Sequence, residues 1–215
     1  MATGYGMSES AALRDFWNKP TLAEAREMIL PNGTDWDERT TWVIPQIITP
    51  FVDKRLPLRA TAVEIGCGIG RLMRAVKPRF ASVIGLDISE SMIGFARQHI
   101  AGCAGLEVLL CDGFGFPLPP GMADFIYSVI CFQHIPTREM IIRYLSESFR
   151  VLKRGGLIRV QTHMGEPHRN GFGGMHGYFY PSLDDFAAEF ASCGFEIVEA
   201  ERRDEIYLWC SGLKK

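Results

Sequence analysis

From residue 61 onward, short apolar runs alternate with segments of helical periodicity, and this alternation restricts the fold more than any other feature of the 215-residue chain. Ala62–Ile65, Ser82–Asp87, Leu106–Cys111, Ala123–Val129, Gly156–Thr162, Phe195–Glu201 and Glu205–Cys210 read as strands. Between them Arg71–Val76, Glu90–Ile100, Thr137–Val151 and Leu183–Cys193 read as helices. Strands joined through helices predict an α/β fold: a doubly wound, seven-stranded, mostly parallel sheet covered on both faces. Only Arg202-Arg203-Asp204 separates the last two strands, too short for a parallel crossover, so the last strand is expected to run antiparallel.

The whole of 1–215 is expected to be one domain, with a helical cover over 1–55 and an α/β core over 56–215. Within the cover, helical turns over 8–30 reopen at Pro20-Thr21 and stop at Pro31-Asn32-Gly33. Trp42–Val52 reads as an amphipathic helix cut short by Pro45 and Pro50. Residues 163–182, rich in Gly, His and aromatics and without periodicity, read as a lid-like loop.

A formal net charge of −2 and the absence of a Lys/Arg block disfavour a nucleic-acid partner. The nearest basic run, Arg71, Arg74, Lys77 and Arg79, is spaced to scatter over a solvated helix face. Six cysteines without a CxxC pair read as small core residues in a reducing compartment. No secretory signal opens the chain and no window approaches a membrane-spanning length, so a cytoplasmic protein without a membrane partner is expected. The sequence carries no signal for an oligomeric state.

Glu64-Ile65-Gly66-Cys67-Gly68-Ile69-Gly70-Arg71 follows a strand and opens a helix, where a nucleotide-like ligand meets a parallel sheet. A dinucleotide fingerprint requires its third glycine at position 71; Arg71 stands there, which counts against NAD. Asp87 ends the next strand, where a carboxylate can accept from ribose hydroxyls or, alternatively, cap the helix that follows. Asp112, before Gly113, ends the third strand, where it can accept from an adenine amino group or hold a turn. Glu64 lies inside an apolar strand, too costly a place for an idle carboxylate; it is expected to receive loop N–H groups or a ligand's amino group.

The ordered segments EIGCGIG, GLDIS, CDG, ADFIYSVICFQHI and RVLKRGGLIRVQT resemble the class I S-adenosylmethionine-dependent methyltransferase family over residues 61–162, and the closing strand pair resembles its antiparallel seventh strand. The resemblance implies a methyltransferase with S-adenosylmethionine as cofactor and S-adenosylhomocysteine as product. It implies that Glu64, Gly66 and Gly68, with Cys67 in the same loop, hold the methionine end, Asp87 the ribose, and Asp112 with Gly113 the adenine side, while Ile88 and Met92 give apolar contacts to the nucleoside or pack the core.

Such a cofactor is already an activated electrophile, so the protein need only align a nucleophile and, for a hydroxyl, remove a proton. His134, after the fourth strand, is the candidate base; the alternative is that it pins the turn before Pro136. His163, His168 and His176 have spacings that match no metal set, and no metal is expected. Tyr178, Phe179 and Tyr180, like Trp17, Trp36 and Trp42, read as pocket walls or packing. Family members that methylate exocyclic amino groups of DNA bases carry Asn/Asp-Pro-Pro-aromatic where this chain has Ser128-Val129-Ile130-Cys131-Phe132, which disfavours base N-methylation; with no basic cleft evident, a small-molecule methyl acceptor is expected. The alternatives are a methyltransferase acting on RNA or protein and a non-catalytic cofactor-binding subunit.

Overall fold

A computed structural model describes residues 5–30, 36–166 and 177–215. Its sheet has seven strands in the order β3-β2-β1-β4-β5-β7-β6: β1 Thr61–Ile65, β2 Ser82–Asp87, β3 Leu106–Leu110, β4 Ala123–Ser128, β5 Leu152–His163, β6 Glu196–Arg203 and β7 Tyr207–Leu213. Neighbours from β3 to β5 pair parallel, and β7 runs antiparallel to both β5 and β6. The strand order reverses between β1 and β4, so the crevice of a doubly wound sheet opens at their carboxyl ends.

Successive residues of each strand face opposite sides, and in β1, β2 and β4 both sides are buried. Val63, Ile65, Ile84, Leu86, Ile126 and Val160 enter one core; Ala62, Val83, Phe125, Tyr127 and Leu157 enter the other. The first core is closed by α7 (Arg138–Val151) and α8 (Leu183–Ser192), and the second by α5 (Arg71–Val76) and α6 (Glu90–His99), with α3 (Trp36–Ile47) and α4 (Pro50–Arg55) beside them. In α7, Met140, Ile141, Tyr144, Leu145, Ser148 and Val151 are buried at helical spacing behind Thr137, whose hydroxyl accepts from Met140 N–H.

Two boundaries differ from the sequence reading. The helix expected over Trp42–Val52 runs instead through Trp36–Ile47, with Pro45 inside it. Pro45 removes one bond near the end of α3, and burial of Val43 and Ile47 offsets that loss; Pro50 opens a new helix behind Thr49, where its fixed φ is helical and its missing N–H costs nothing. The final hairpin turns at 204–206 rather than 202–204, with Asp204 at φ 56°, because Arg202 and Arg203 belong to the solvent-facing edge strand β6.

The cover is tied on by polar contacts. Along α1 (Tyr5–Asn18), Ser10 Oγ donates to the Asp112 carbonyl at 2.9 Å, and the Asn18 amide oxygen accepts from Ser89 Oγ at 2.8 Å. α2 (Leu22–Ile29) begins, as expected, at Thr21, which forms a capping box with Glu24. On the other side of the sheet, fully buried Arg159 of β5 donates to the Gln46 carbonyl of α3, to Ser211 Oγ at 2.7 Å and to Glu199 and Glu201. Among the described residues no helix is long and apolar enough to cross a membrane.

Candidate functional site

The turn after β1 is shaped by glycines at positive φ. Gly66 has φ 72°, and a Cβ there would lie 2.3 Å from Cys131 Sγ; Gly68 has φ 52° and Gly70, the cap of α5, φ 80°. Gly66 and Cys67 N–H donate to the Leu86 carbonyl at 2.8 and 3.0 Å, and Gly68 N–H donates to Asp87 Oδ2 at 2.8 Å. The loop is thereby sewn to the end of β2. Gly85 within β2 serves the same seam, since a Cβ there would lie 2.7 Å from Cys67 Sγ.

Asp87 is nearly buried, and its other oxygen accepts from Ser89 N–H at 2.9 Å. Ser89, not Asp87, caps α6 by accepting from Met92 N–H. Burial pushes the Asp87 carboxyl upward against the N–H groups that hold it charged. Glu64 faces the same space, but its partner is not the loop: it accepts from Tyr127 Oη at 2.9 Å, across the β1–β4 pairing. Burial pushes Glu64 up to about 8, against Tyr127 and Arg71, so it is largely a neutral acid at pH 7.

These residues line a cavity of about 980 Å³, counted to its open mouth. Its wall at the sheet contains Glu64, Gly66, Cys67, Gly68, Asp87, Ile88 and Met92. Cys111, Val129, Ile130, Cys131, His134 and Tyr144 extend it past β3 and β4, and Leu13, Trp17, Met28 and Ile29 of the cover close it above. His134 stands edge-on to Trp17, with ring centroids 5.5 Å apart. Its Nδ1 is buried without a hydrogen bond, so the side chain does not pin the turn. Burial, with nearby His163, lowers it to about 4, leaving a neutral imidazole at pH 7.

Asp112 and Gly113 are not in the cavity wall. The Asp112 carboxylate accepts from Phe114 and Gly115 N–H at 2.8 and 2.9 Å, the turn-holding alternative, and Gly113 lies under α1, where a Cβ would meet Ser10 Oγ at 2.5 Å. Of the expected loop over 163–182, residues 167–176 lie outside the described residues; at its two ends His163 is the last residue of β5, and Tyr180 packs on Phe186 in the core while its N–H donates to the His163 carbonyl. His168 and His176 lie outside the described residues. Among the described residues no His/Cys/Asp/Glu group could hold a metal ion.

Two residues escape the sequence reading. Arg71, expected on a solvated face, is buried in the cavity wall and donates to Thr40 Oγ1 at 2.8 Å; only its place directly after the glycines hinted at this. Ile130 has φ 57°, a strained conformation for a β-branched residue, and its N–H is held by Gln161 Oε1 at 3.1 Å. No local sequence signal marks it.

A methyltransferase-domain family matches residues 62–156. Over 108 residues the chain is 32% identical to a malonyl-[acyl-carrier protein] O-methyltransferase of Methylococcus capsulatus, covering 49% of this chain and 38% of that protein. It is 29% identical over 101 residues to a tRNA (carboxymethyluridine(34)-5-O)-methyltransferase of Xenopus tropicalis, covering 47% of this chain and 15% of the relative. The chain thus spans less than half the length of either relative. The fold superposes on a geranyl diphosphate C-methyltransferase of Streptomyces coelicolor with a TM-score of 0.72 at 12% identity, covering 100% of this chain and 99% of the other.

Proposed function

We propose that the chain, which a methyltransferase-domain family matches over 62–156, is a class I S-adenosylmethionine-dependent methyltransferase that transfers a methyl group from that cofactor to a small-molecule nucleophile. One observation carries the reading: the Gly68 N–H to Asp87 Oδ2 bond fixes a glycine turn and a buried carboxylate side by side on one cavity wall. The cofactor fits this donor set. A carboxylate has about four acceptor positions, so two backbone bonds leave Asp87 capacity for both ribose hydroxyls. Gly66 and Gly68 present backbone without a Cβ, Glu64 faces the methionine amine, and Ile88 and Met92 flank the nucleoside. Asp112 acts through the turn that sets Cys111 in the wall.

When bound, the cofactor supplies an electrophilic methyl on a sulfonium centre. The chain's own part is to exclude water, hold the acceptor in line and take a proton where the nucleophile carries one. Trp17, Leu13 and Ile29 cover the cavity from the residue 1–55 side, and the mostly apolar wall favours an acceptor with an apolar body. His134, which lines the cavity as a neutral imidazole, is the residue we propose takes that proton. The family's relatives act on unlike acceptors, so the acceptor is a matter for this cavity rather than for the family.

Calorimetric titration with S-adenosylmethionine, S-adenosylhomocysteine and NAD tests the reading. Binding of the adenosyl pair without NAD is expected, followed by labelled-methyl transfer to apolar small nucleophiles. NAD binding alone sinks it, and binding without transfer to any acceptor points to the non-catalytic subunit. Salt-sensitive capture of RNA favours a polymer acceptor.

A further inference from the structure

Among the described non-glycine residues, only Ile130 and Asp204 hold a positive φ. Asp204 does so in an exposed hairpin turn, where a short polar residue tolerates it. Ile130 does so in the wall of the main cavity, with a β-branched side chain that the left-handed region disfavours, and such strain persists only where neighbouring contacts enforce it. We infer that Gln161 is the positioning residue that enforces it: by holding the Ile130 N–H, it fixes the turn that carries His134 into the cavity wall. The inference rests on the methyl-transfer reading for the reaction that the turn serves, but not for the geometry.

β4 and β5 pair in parallel as far as Ser128 and Val160. One residue further along β5, the buried side chain of Gln161 takes over from the strand backbone. Its Oε1 accepts from Ile130 N–H at 3.1 Å, and among the described residues no other acceptor meets that amide. A strand carbonyl is fixed in its ladder, whereas a side-chain amide can meet an N–H that has turned out of it. Beyond Ile130 the chain enters the single helical turn Phe132–His134, where His134 N–H donates to the Cys131 carbonyl at 2.9 Å and Ile135 N–H to the Phe132 carbonyl at 3.1 Å. The far side of this turn is packed: Phe132 is fully buried against Tyr144, and Cys131 Sγ fills the place that a Cβ on Gly66 would take. On its near side Ile130 is only partly buried, and the Gln161 bond is the polar contact that holds its backbone. Without that acceptor the amide is left unpaired and the strained φ unopposed, so Ile130 relaxes and turns His134 away from the Trp17 ring that it meets edge-on at 5.5 Å.

The test follows the His134 ring in the full chain by nuclear magnetic resonance, without added ligand. The unaltered chain should show an Overhauser contact between the His134 and Trp17 rings, and His134 should titrate at about 4, held down by burial and nearby His163. Gln161→Met, close in length but without the acceptor, should lose most of that contact and raise the titration by about one pH unit or more, toward the ordinary histidine range. Adding Ile130→Gly to Gln161→Met should restore both, because glycine takes the left-handed conformation without enforcement. Gln161→Asn, which keeps the amide but shortens its reach, should behave as Gln161→Met does and replaces it if that variant does not fold. An undisturbed His134 in these variants overturns the assignment. So does a displacement that Ile130→Gly fails to reverse, since Gln161 would then act on His134 by a route other than Ile130. Failure of the unaltered chain to bind S-adenosylhomocysteine in a separate titration removes the methyl-transfer reading and leaves the result on the turn standing.

Discussion

The two walls of the cavity are built by different means. The wall at the ends of β1 and β2 is made by backbone: N–H groups of Gly66, Cys67 and Gly68 are tied to Leu86 and Asp87, and conformations at positive φ only glycine takes without strain. The opposite wall is made by side chains from elements far apart in sequence, Leu13 and Trp17 of α1, Ile29 of α2 and His134 after β4. A backbone-built site is fixed by local chemistry and suits an invariant ligand. A wall of packed side chains can change its shape by substitution while the sheet stays as it is, which suits an acceptor that varies among relatives.

The sharpest test of that division is Asp87→Ala. S-adenosylhomocysteine affinity should fall about 100-fold or more, the loss of two hydrogen bonds to a charged acceptor, whereas His134→Ala should leave it within about twofold and lower turnover roughly 100-fold. Equal losses of affinity from both, read by calorimetry, would erase the distinction between the walls. Next in size is Gly66→Ala, which forces a Cβ onto Cys131 in a left-handed conformation and should cost about 2–4 kcal/mol, lowering the melting temperature by roughly 5–15 °C in a thermal scan. An unchanged melting temperature would show that the loop has slack.

Glu64 gives a pH signature. Its folded pKa, about 8, lies above the ordinary 4.5, so the folded state keeps a proton that the unfolded chain gives up. Its contribution is complete below the ordinary value and declines as pH rises toward 8, by about 1.4 kcal/mol per pH unit across that window. Glu64→Gln should flatten the stability–pH curve there, as measured by urea unfolding; a curve parallel to that of the unaltered chain would mean that Glu64 is ionised in the fold. The smallest effect is expected at Ile130. Ile130→Gly relieves left-handed strain while losing packing and gaining chain entropy, for a net change within about 1 kcal/mol, whereas Val129→Gly, with no strain to relieve, should cost about 2–4 kcal/mol. Equal costs would mean that the strain is spent elsewhere.

The same division decides what could be read from the sequence. The pairing of the glycine run with Asp87 was legible because it is local: a turn after one strand and an acid at the end of the next meet where the two strands are parallel neighbours. The antiparallel last strand followed from a connection too short for a crossover, although its turn was placed two residues early because edge-strand arginines resemble loop residues. Arg71 was missed because helical spacing says which residues share a face, and not whether that face meets solvent or a cavity. Asp112 carried two local readings, and α1, which takes its carbonyl through Ser10 and Arg14, is more than ninety residues away in sequence. Pro45 stopped the predicted helix because the burial of Val43 and Ile47 that carries α3 through it is a tertiary effect.

The placement of β7 has a consequence for how the chain is made. In sequence β7 comes last, but in the sheet it lies between β5 and β6. A growing polypeptide that has completed everything through β6 therefore lacks the strand with which both the β5 edge and β6 pair. Until residues 207–213 are free of the ribosome, those edges are the surfaces most exposed to wrong pairing.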